Sequence, residues 1–302
     1  MTAQRLVALV TCAEYDQLHE DDRTVIEPLA RRGITAVPAV WDDPDVDWGR
    51  FDLSIIRSTW DYSSRRDAFL AWAASLPAVA NPVDVLAWNT DKRYLADLAD
   101  FGVPVVETTW LGPGDDADLS RFANGEVVVK PTVGAGSVEA GRYDLGNDEQ
   151  RRLATAHVRR LQARGATAMV QPYLHAVDDQ GETALLFFDG EFSHAASKAA
   201  LLSGPYHGVE GLYVEETITP RTPTDAELGV AEAALKAVPG GFDRLTYARV
   251  DVLPGPDGTP MLLELELCEP SLFLDQSDGA AERLADAIQV FSAAVDPRSR
   301  RR

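Results

Sequence analysis

The sequence predicts an α/β protein that opens with a small, doubly wound parallel sheet. Strand-like and helix-like segments alternate through its first quarter, which is the pattern of parallel strands covered by helices. Strands predominate further along, and two of them alternate charged with apolar residues, as is typical of an antiparallel hairpin. A chain of 302 residues is long enough to bury the cores of roughly two or three lobes.

The first elements follow from apolar runs and helix-ending signals. Two arginines followed by Gly33 predict the end of the first helix, because glycine favours the position after a helix. Ser64 is expected to cap a second helix over residues 65–75. The strands expected in this part of the chain are 6–11, 34–40 and 51–57.

Two polar loops follow the first and third strands, at residues 12–16 and 57–62. Ligands of parallel sheets bind beyond the carboxyl ends of the strands, so we expect both loops at a substrate site. Trp60 and Tyr62 have the alternative role of packing residues. Neither loop contains Gly-x-Gly-x-x-Gly, so a dinucleotide site is not predicted. The candidate substrate contacts are Glu14, Tyr15, Arg57, Ser58, Thr59, Trp60 and Asp61.

The middle of the chain is expected to be a second unit. Asn81 and Pro82 mark a domain boundary, and Asn89 or Thr90 is expected to cap the helix that follows. Residues 199–222 show no clear periodicity, which predicts a functional lid or a disordered loop. The remaining expected strands are 103–111, 126–130, 168–173, 183–188 and 191–200. The remaining expected helices are 147–165, 223–238 and 279–294.

Two charged strands near the C-terminal end predict an antiparallel hairpin, since they flank a segment rich in proline, glycine and aspartate. Symmetric closure of the turn would place Asp251 opposite Glu264. The same register puts Arg249 opposite Glu266, with Leu263 on the other face. Like charges facing each other destabilise a ladder, so we expect the carboxylates to hold a cation, and oxygen ligands suit Mg²⁺. The alternative is a hairpin whose charged face is simply solvated.

A strand-end lysine precedes a glycine-rich turn at residues 130–141, where backbone amides could approach phosphate oxygens. It is not a Walker loop, and alone it is a weak indication. Combined with a metal-binding hairpin, it predicts a nucleotide site. The extended segment 169–173 would pair with adenine, and Glu182 would accept from the ribose hydroxyls. The candidate nucleotide-binding residues here are Lys130, Gly134, Gly136, Ser137, Gln171, Pro172, Tyr173 and Glu182.

The chain is acidic, with 28 Lys and Arg against 48 Asp and Glu and a formal charge of −20. This excess disfavours nucleic acid and anionic membranes as partners, and a phosphate site must supply its own cations. Two cysteines exclude a disulfide framework, and no apolar stretch approaches the roughly 18 residues of a membrane span. With no signal peptide evident, we expect a cytoplasmic protein. The basic tail, residues 298–302, is expected to be disordered.

The order of these motifs resembles the ATP-grasp superfamily, in particular its glutathione-synthetase-like branch. The resemblance covers essentially the whole chain, and the combination of motifs is specific. One position departs from the pattern, because Glu266 stands where the family often has asparagine. The motifs that carry the resemblance are Lys92, Lys130, Gln171-Pro172-Tyr173, Gly181-Glu182, Arg249-x-Asp251 and Glu264-x-Glu266.

The resemblance implies an ATP-grasp fold, in which two α+β lobes that follow the N-terminal sheet sandwich ATP. It divides the chain into a substrate domain (1–90), a lid subdomain (91–170) and a C-terminal catalytic subdomain (171–302). Lys92 and Lys130 would contact the α- and β-phosphates. The candidate lids are the turn 134–141 and the loop 203–211.

The same resemblance implies chemical roles for other residues. Lys198 would face the γ-phosphate, and Arg249 would steady an acyl phosphate. His207, and to a lesser degree His194, would assist proton transfer. Two Mg²⁺ ions, with Mn²⁺ as an alternative, would be held by Asp251, Glu264 and Glu266.

Within the superfamily, the chain most resembles the cyclo-ligases that close O-ureido-serine to cycloserine. The phrases that carry this resemblance lie at residues 10–15, 57–62 and 266–274. It implies an ADP-forming carboxylate ligase of antibiotic biosynthesis that acts on a small amino-acid-like substrate, with Glu269 and Ser271 as substrate contacts. The alternatives are an intermolecular carboxylate–amine ligase and a nucleotide-binding regulatory protein without turnover. A homo-oligomer is compatible with either.

Overall fold

The N-terminal part of the computed structural model, which describes residues 5–208, 212 and 217–294, is a three-stranded parallel sheet of order β2-β1-β3. This sheet confirms the predicted doubly wound start. Val7 and Leu9 point into one hydrophobic core and Ala8 and Val10 into another, which explains the continuous apolar run. The strands are β1 (Arg5–Thr11), β2 (Ile34–Val40) and β3 (Leu53–Ile56), and the helices are α1 (Glu20–Arg23), α2 (Ile26–Arg31) and α3 (Arg66–Ser75).

Two helices, α4 (Val83–Asn89) and α5 (Tyr94–Asp100), connect this domain to the rest of the chain. The predicted caps were wrong here. Asn89 ends α4, and its side chain bonds the carbonyl of Leu265 at 2.8 Å and the amide of Leu267 at 2.7 Å. Ser64 does not cap α3 either, because its hydroxyl donates to the Asp61 carbonyl at 3.0 Å. Both side chains satisfy backbone groups outside the helix that they were expected to start.

A four-stranded antiparallel sheet of order β4-β7-β5-β6 forms the second layer. Its strands are β4 (Thr109–Leu111), β5 (Glu126–Pro131), β6 (Gly141–Asp144) and β7 (Ala168–Pro172), and α6 (Asp148–Ala163) packs on it. Asn147 caps α6 by accepting from two backbone amides. The strand expected over 103–111 is shorter than predicted, since only residues 109–111 pair with β7 and Val105 instead forms an isolated bridge with Leu262. The predicted domain boundary after residue 170 lies within β7.

A five-stranded antiparallel sheet of order β10-β9-β8-β11-β12 forms the third layer. β10 was not predicted, because it is a short edge strand that contains Pro220. The strands are β8 (Glu182–Phe188), β9 (Glu191–Lys198), β10 (Ile218–Arg221), β11 (Tyr247–Pro254) and β12 (Pro260–Glu266). The helices of this part are α7 (Ala176–Gln180), α8 (Asp225–Lys236) and α9 (Ala280–Ala294).

The hairpin β11–β12 has the predicted register beside the charged residues. Arg249 pairs with Glu266 and Asp251 with Glu264. A bulge follows, so that Val252 pairs with Leu262 and Leu263 is the extra residue. The prediction for Leu263 was therefore wrong: it does not share the core face.

The N-terminal and C-terminal parts share one hydrophobic core. Leu9 and Leu29 belong to the same buried cluster as Phe188 and Ile288. On the surface, Arg32 of the first domain contacts the Glu282 carboxylate of α9 at 2.6 Å. No helix among residues 5–208, 212 and 217–294 is long and apolar enough to cross a membrane. The tail 298–302, and residues 209–211 of one candidate lid, lie outside the described residues.

Candidate active site

A cavity between the four-stranded and five-stranded sheets gathers most of the predicted site residues. Both faces of the cavity contribute, so residues separated by more than a hundred positions in the sequence meet there. Its lining includes Trp60, Lys92, Lys130, Gly134, Gly136, Ser137, Gln171, Pro172, Tyr173, Glu182, Lys198, Arg249, Asp251, Glu264, Glu266, Glu269 and Ser271.

Two lysines from the side of the cavity opposite the hairpin, Lys92 after α4 and Lys130 on β5, contact Glu264 of the hairpin. The Lys92 ammonium lies 3.0 Å from one carboxylate oxygen of Glu264, and the Lys130 ammonium lies 3.5 Å from the other. Lys92 also donates to the Gly134 carbonyl at 2.6 Å, which fixes the start of the glycine-rich turn. Although burial raises the pKa of Glu264, the two lysines lower it to about 2. Glu264 is therefore an anion at neutral pH.

Arg249 and Lys198 neutralise Asp251 on the adjacent strand. The Arg249 guanidinium donates to Asp251 at 2.9 Å and 3.0 Å, and it also contacts Glu266. The Lys198 ammonium lies 2.9 Å from Asp251 and 3.0 Å from Glu182. Burial opposes ionisation of Asp251, but these two cations hold its pKa below the usual range.

Glu266 completes a group of three hairpin carboxylates, of which Asp251 is buried and the other two are half-buried. Burial, together with the charges of Glu264 and Asp251, raises the pKa of Glu266 to about 8 despite Arg249. Such crowding favours an added cation, and the three oxygen donors fit a hard divalent ion. In the described part of the chain, however, no three acidic, histidine or cysteine side chains converge as metal ligands. Each carboxylate faces a lysine or arginine instead.

Only part of the segment 169–173, predicted to lie beside adenine, lines the cavity. Gln171, Pro172 and Tyr173 line the cavity, whereas Met169 is buried in the core between β4 and β5. The expectation that the whole segment 169–173 lies at the nucleotide site is therefore wrong for the Met169 side chain, which does not line the cavity. Tyr173 is fixed by a 2.5 Å hydrogen bond to Asp178, and the Arg142 guanidinium carbon lies 3.6 Å from its ring centroid.

The glycine-rich turn bends back over the cavity. Gly136 and Ser137 both have a φ of 58°, in the left-handed region that glycine adopts at low cost. Val133 and Ala135 on the same turn pack against the N-terminal core. The turn therefore connects the four-stranded sheet with the first domain.

The N-terminal loops contact the cavity only through Trp60 among the predicted substrate residues. Arg57 is buried, forms an ion pair with Asp22 at 2.8 Å and donates to the Pro270 carbonyl at 2.5 Å. The Ser58 hydroxyl donates to Asp22 at 2.7 Å. The structure therefore does not place Arg57 or Ser58 at the substrate, because their polar groups are hydrogen-bonded to Asp22 and, for Arg57, to the Pro270 carbonyl.

The other loop candidates also lie away from the cavity lining. Asp61 accepts from the indole of Trp41 at 2.9 Å, and Thr59 is fully buried. Tyr15 packs edge-on against Trp60 with ring centroids 4.9 Å apart, and Glu14 is exposed. Tyr15 therefore supports a cavity residue instead of lining the cavity itself.

The two histidines proposed for proton transfer do not line the cavity. His207 is exposed on the loop after β9. His194 is buried, and its Nε2 lies 3.0 Å from the Leu272 carbonyl and 3.1 Å from that of Phe273. Burial lowers the pKa of His194, so it is neutral at physiological pH. His194 thus supports the loop after β12.

Several cavity residues were missed by the sequence analysis. Tyr62 and Asn89 reach the cavity from the first domain and α4, and Leu263 reaches it through the bulge. Residues 199–202 pass along the cavity after β9. Tyr62 carried a signal as part of the loop 57–62, and residues 199–202 carried one as the start of the aperiodic stretch 199–222. The others depend on tertiary contacts that no local pattern reports.

Residues 7–84 match the family described as the N-terminal domain of D-cycloserine synthetase DcsG. The cycloserine biosynthesis protein DcsG of Streptomyces lavendulae is 41% identical over 299 residues, covering 94% of this chain and 97% of that protein. The chain belongs to the DcsG family. Family membership and fold make the chain an ATP-grasp ligase.

Solved structures agree with this family assignment. The crystal structure of D-cycloserine synthetase DcsG is 38% identical with a TM-score of 0.86, covering 96% of this chain and 100% of that one. A RimK domain ATP-grasp protein from Sphaerobacter thermophilus has a TM-score of 0.65 at 18% identity, covering 94% and 99%. The D-alanine–D-alanine ligase of Bacillus anthracis has a TM-score of 0.67 at 15% identity, covering 98% and 99%. The two distant structures show that the DcsG-family chain has the ATP-grasp fold.

Proposed function

We propose that this protein uses ATP to activate the carboxylate of O-ureido-serine and closes it to cycloserine, releasing ADP and phosphate. The observation that carries the proposal is the cavity where Lys92 and Lys130 of the lid side meet the hairpin carboxylates beside Arg249. The 41% identity with the cycloserine biosynthesis protein DcsG supports the choice of product.

Asp251, Glu264 and Glu266 supply oxygen donors of the kind that suits Mg²⁺, and we infer that ATP binds together with this ion. Relatives of the same fold support this pairing, since the B. anthracis ligase was solved with ATP and the ATP-grasp ligase PsnB with Mg and ADP. The crowding that raises the pKa of Glu266 to about 8 favours a cation among Asp251, Glu264 and Glu266. A divalent ion held there would neutralise charge on the phosphates.

The chain's own cations account for phosphate binding and positioning. Lys92, Lys130 and Lys198 each lie within 3.5 Å of a carboxylate, so they are already drawn together at one end of the cavity. Phosphoryl transfer requires mainly positioning and charge neutralisation, and no protein nucleophile. Arg249, fixed by Asp251, would orient the substrate carboxylate and then the acyl phosphate.

The reaction balances without a further reactant in the ring-closing step. The substrate carboxylate oxygen attacks the γ-phosphorus and ADP leaves. The nitrogen attached to the side-chain oxygen then attacks the acyl carbon, phosphate leaves, and that nitrogen loses its proton. The ring contains the acyl carbon, this nitrogen, the oxygen and two carbons of serine. The carbamoyl group that remains on nitrogen must be removed by water to give cycloserine.

Hydroxylamine trapping tests the activation step directly. With ATP, Mg²⁺, O-ureido-serine and hydroxylamine, we expect a hydroxamate to form at the expense of cycloserine, since hydroxylamine competes for the acyl phosphate. Phosphate release without either product would contradict the proposal. Phosphate release that requires an added amine would favour an intermolecular ligase instead.

A further inference from the structure

Glu269 differs from the other carboxylates of the cavity because no described lysine or arginine pairs with it directly, although the charge of Lys92 acts on it from a longer distance. It is 9% exposed, lines the cavity, and forms no ion pair in the part of the chain that the structure describes. The other four carboxylates each have one. Those pairs are Glu182 with Lys198, Asp251 with Lys198 and Arg249, Glu264 with Lys92 and Lys130, and Glu266 with Arg249.

The backbone around Glu269 is held by side chains from other elements. The Trp60 indole donates to the carbonyl of Glu269 at 3.1 Å, and Arg57 donates to that of Pro270 at 2.5 Å. On the other side, the Tyr247 hydroxyl donates to the Cys268 carbonyl at 2.9 Å. Three consecutive carbonyls are therefore fixed. The Glu269 side chain is presented to the cavity from a preorganised backbone.

The following residues of this loop are held in the same way. The Arg249 guanidinium donates to the Ser271 carbonyl at 3.1 Å. The Asp21 carboxylate accepts from the amides of Leu272 at 3.2 Å and Leu274 at 2.6 Å. Arg249 thus links this loop to the hairpin carboxylates. Glu269 and the phosphate-binding end of the cavity are parts of one connected arrangement.

A buried carboxylate without a directly paired cation is costly, and burial raises the pKa of Glu269 above its usual range. Cys268, the charge of Lys92 and Tyr62 each lower this pKa, and together they offset only part of the effect of burial. A cationic ligand would complete the compensation. Amino-acid substrates carry such a group, the α-ammonium, and it too must be desolvated on entering the cavity.

We propose that Glu269 binds the α-ammonium group of the substrate and thereby selects amino acids over simple carboxylic acids. The inference rests on the proposed function, which supplies the amino-acid substrate and directs its carboxylate to Arg249. Glu269 is then the specificity-determining contact beside that carboxylate, since the ammonium and the carboxylate are bonded to the same carbon.

The test compares O-ureido-serine with its analogue that lacks the α-amino group, 3-(ureidooxy)propanoic acid. Wild-type protein is expected to prefer O-ureido-serine on the order of 100-fold in kcat/KM, because the analogue leaves a buried charge unpaired. Glu269→Gln should lose most of that preference through a higher KM for O-ureido-serine. The KM for ATP should change less than about twofold, since the variant leaves every lysine in place.

Two further variants make the result interpretable. Glu269→Asp keeps the charge on a shorter side chain, and we expect it to restore part of the preference. Glu191→Gln removes the same charge from an exposed position of β9 and should behave as wild type. An unchanged preference in Glu269→Gln would overturn the inference. A fall in kcat with an unchanged KM would also overturn it, because it would indicate proton transfer instead of recognition.

Binding measured without turnover separates this inference from the proposed function. In calorimetry with AMPPNP and Mg²⁺, wild-type protein should bind O-ureido-serine more tightly than the analogue, and Glu269→Gln should not. If that difference is found but wild-type protein makes no cycloserine with ATP, the proposed function fails and the role of Glu269 stands. If cycloserine forms while the two ligands bind equally to wild type, the role of Glu269 fails and the function stands.

Discussion

At the scale of single residues, the cavity is organised by lysines and an arginine that form ion pairs with its carboxylates. Glu264 has two such partners: Lys92, which lies between α4 and α5, and Lys130, which lies on β5 of the four-stranded sheet. Removing one member of a buried charged group leaves the others uncompensated. The effects of substitution should therefore be large at the hairpin and small at exposed acidic residues.

Glu264→Gln tests this arrangement. The amide keeps the shape but cannot balance two lysines or hold a divalent ion, so we expect turnover to fall at least about 100-fold. Nucleotide binding should remain measurable, because the lysines are intact. Phosphate release and equilibrium ATP binding are the two measurements, with Glu191→Gln as the matched exposed control. Full activity in Glu264→Gln would refute the metal assignment.

His157 provides a pH-dependent prediction outside the cavity. Burial and the nearby Arg160 lower its pKa to about 4 from an ordinary 6.5, so the folded protein holds it neutral. The unfolded chain binds a proton below about pH 6.5, whereas the folded chain does not until about pH 4. Stability should therefore fall as the pH drops through this window, by up to about 3 kcal/mol from this residue.

The measurement is urea unfolding of wild type and His157→Phe between pH 7 and pH 4. Phenylalanine keeps a ring stacked on Tyr206 but cannot titrate, so its stability should depend less steeply on pH. Other groups that titrate in this range are common to both proteins, and their contributions cancel in the comparison. Equal slopes for the two proteins would show that His157 is not the responsible group.

At the scale of elements, residues 199–208 connect the two sheets that enclose the cavity. They follow β9, which ends at Lys198, line the cavity at 199–202, and then contact the four-stranded sheet. The Gly204 carbonyl accepts from the Arg142 amide at 2.9 Å, and the Tyr206 amide donates to the Tyr143 hydroxyl at 3.2 Å. A Cβ at Gly141 would lie 2.8 Å from the Tyr206 nitrogen, so this close approach requires glycine.

The Tyr206 ring is the anchor of this segment. It stacks on His157 with centroids 5.3 Å apart, and the Arg160 guanidinium carbon lies 4.3 Å from its centroid. We expect Tyr206→Ala to loosen the cover over the cavity and admit water to the acyl phosphate. Phosphate release should persist while cycloserine formed per phosphate falls severalfold.

Tyr206→Phe is the control, since it keeps both the ring and the backbone amide and should retain the wild-type ratio. Phe101→Ala removes an aromatic ring that is 73% exposed and should also have no effect. A wild-type ratio of cycloserine to phosphate in Tyr206→Ala would show that this segment does not exclude water.

The sequence predicts elements whose cause is local. The hairpin register follows from alternating charges and a turn-rich linker, and Arg249, Asp251 and Glu264 lie where that pattern placed them. Arg57 could not be assigned in the same way. Its loop position resembled a substrate site, but Asp22 and the Pro270 carbonyl, far apart in sequence, decide its role. The bulge at Leu263 likewise results from packing that the alternation does not encode.

At the scale of the whole molecule, the first domain is built into the catalytic part. Its core is continuous with the five-stranded sheet and α9, through Leu9, Leu29, Phe188 and Ile288. Arg57 and Trp60 also hold the loop that carries Glu269. The proposed domains are therefore successive segments of the chain, and the first one does not have a separate hydrophobic core.

We therefore expect the first domain to unfold together with the five-stranded sheet. Differential scanning calorimetry should show a single transition for these parts, with equal calorimetric and van't Hoff enthalpies. Tryptophan fluorescence supplies a second probe, because Trp41, Trp48, Trp60 and Trp72 all belong to the first domain. An early fluorescence transition, separate from loss of the remaining structure, would contradict a shared core.

The central claim is that the hairpin carboxylates and the lid-side lysines form the ATP site of a cycloserine-forming ligase. The most direct measurement follows ADP and cycloserine in one reaction that contains ATP, Mg²⁺ and O-ureido-serine. We predict equal amounts of both, dependent on the divalent ion and abolished together in Glu264→Gln. ADP release that does not respond to O-ureido-serine, with no cycloserine formed, would contradict the account.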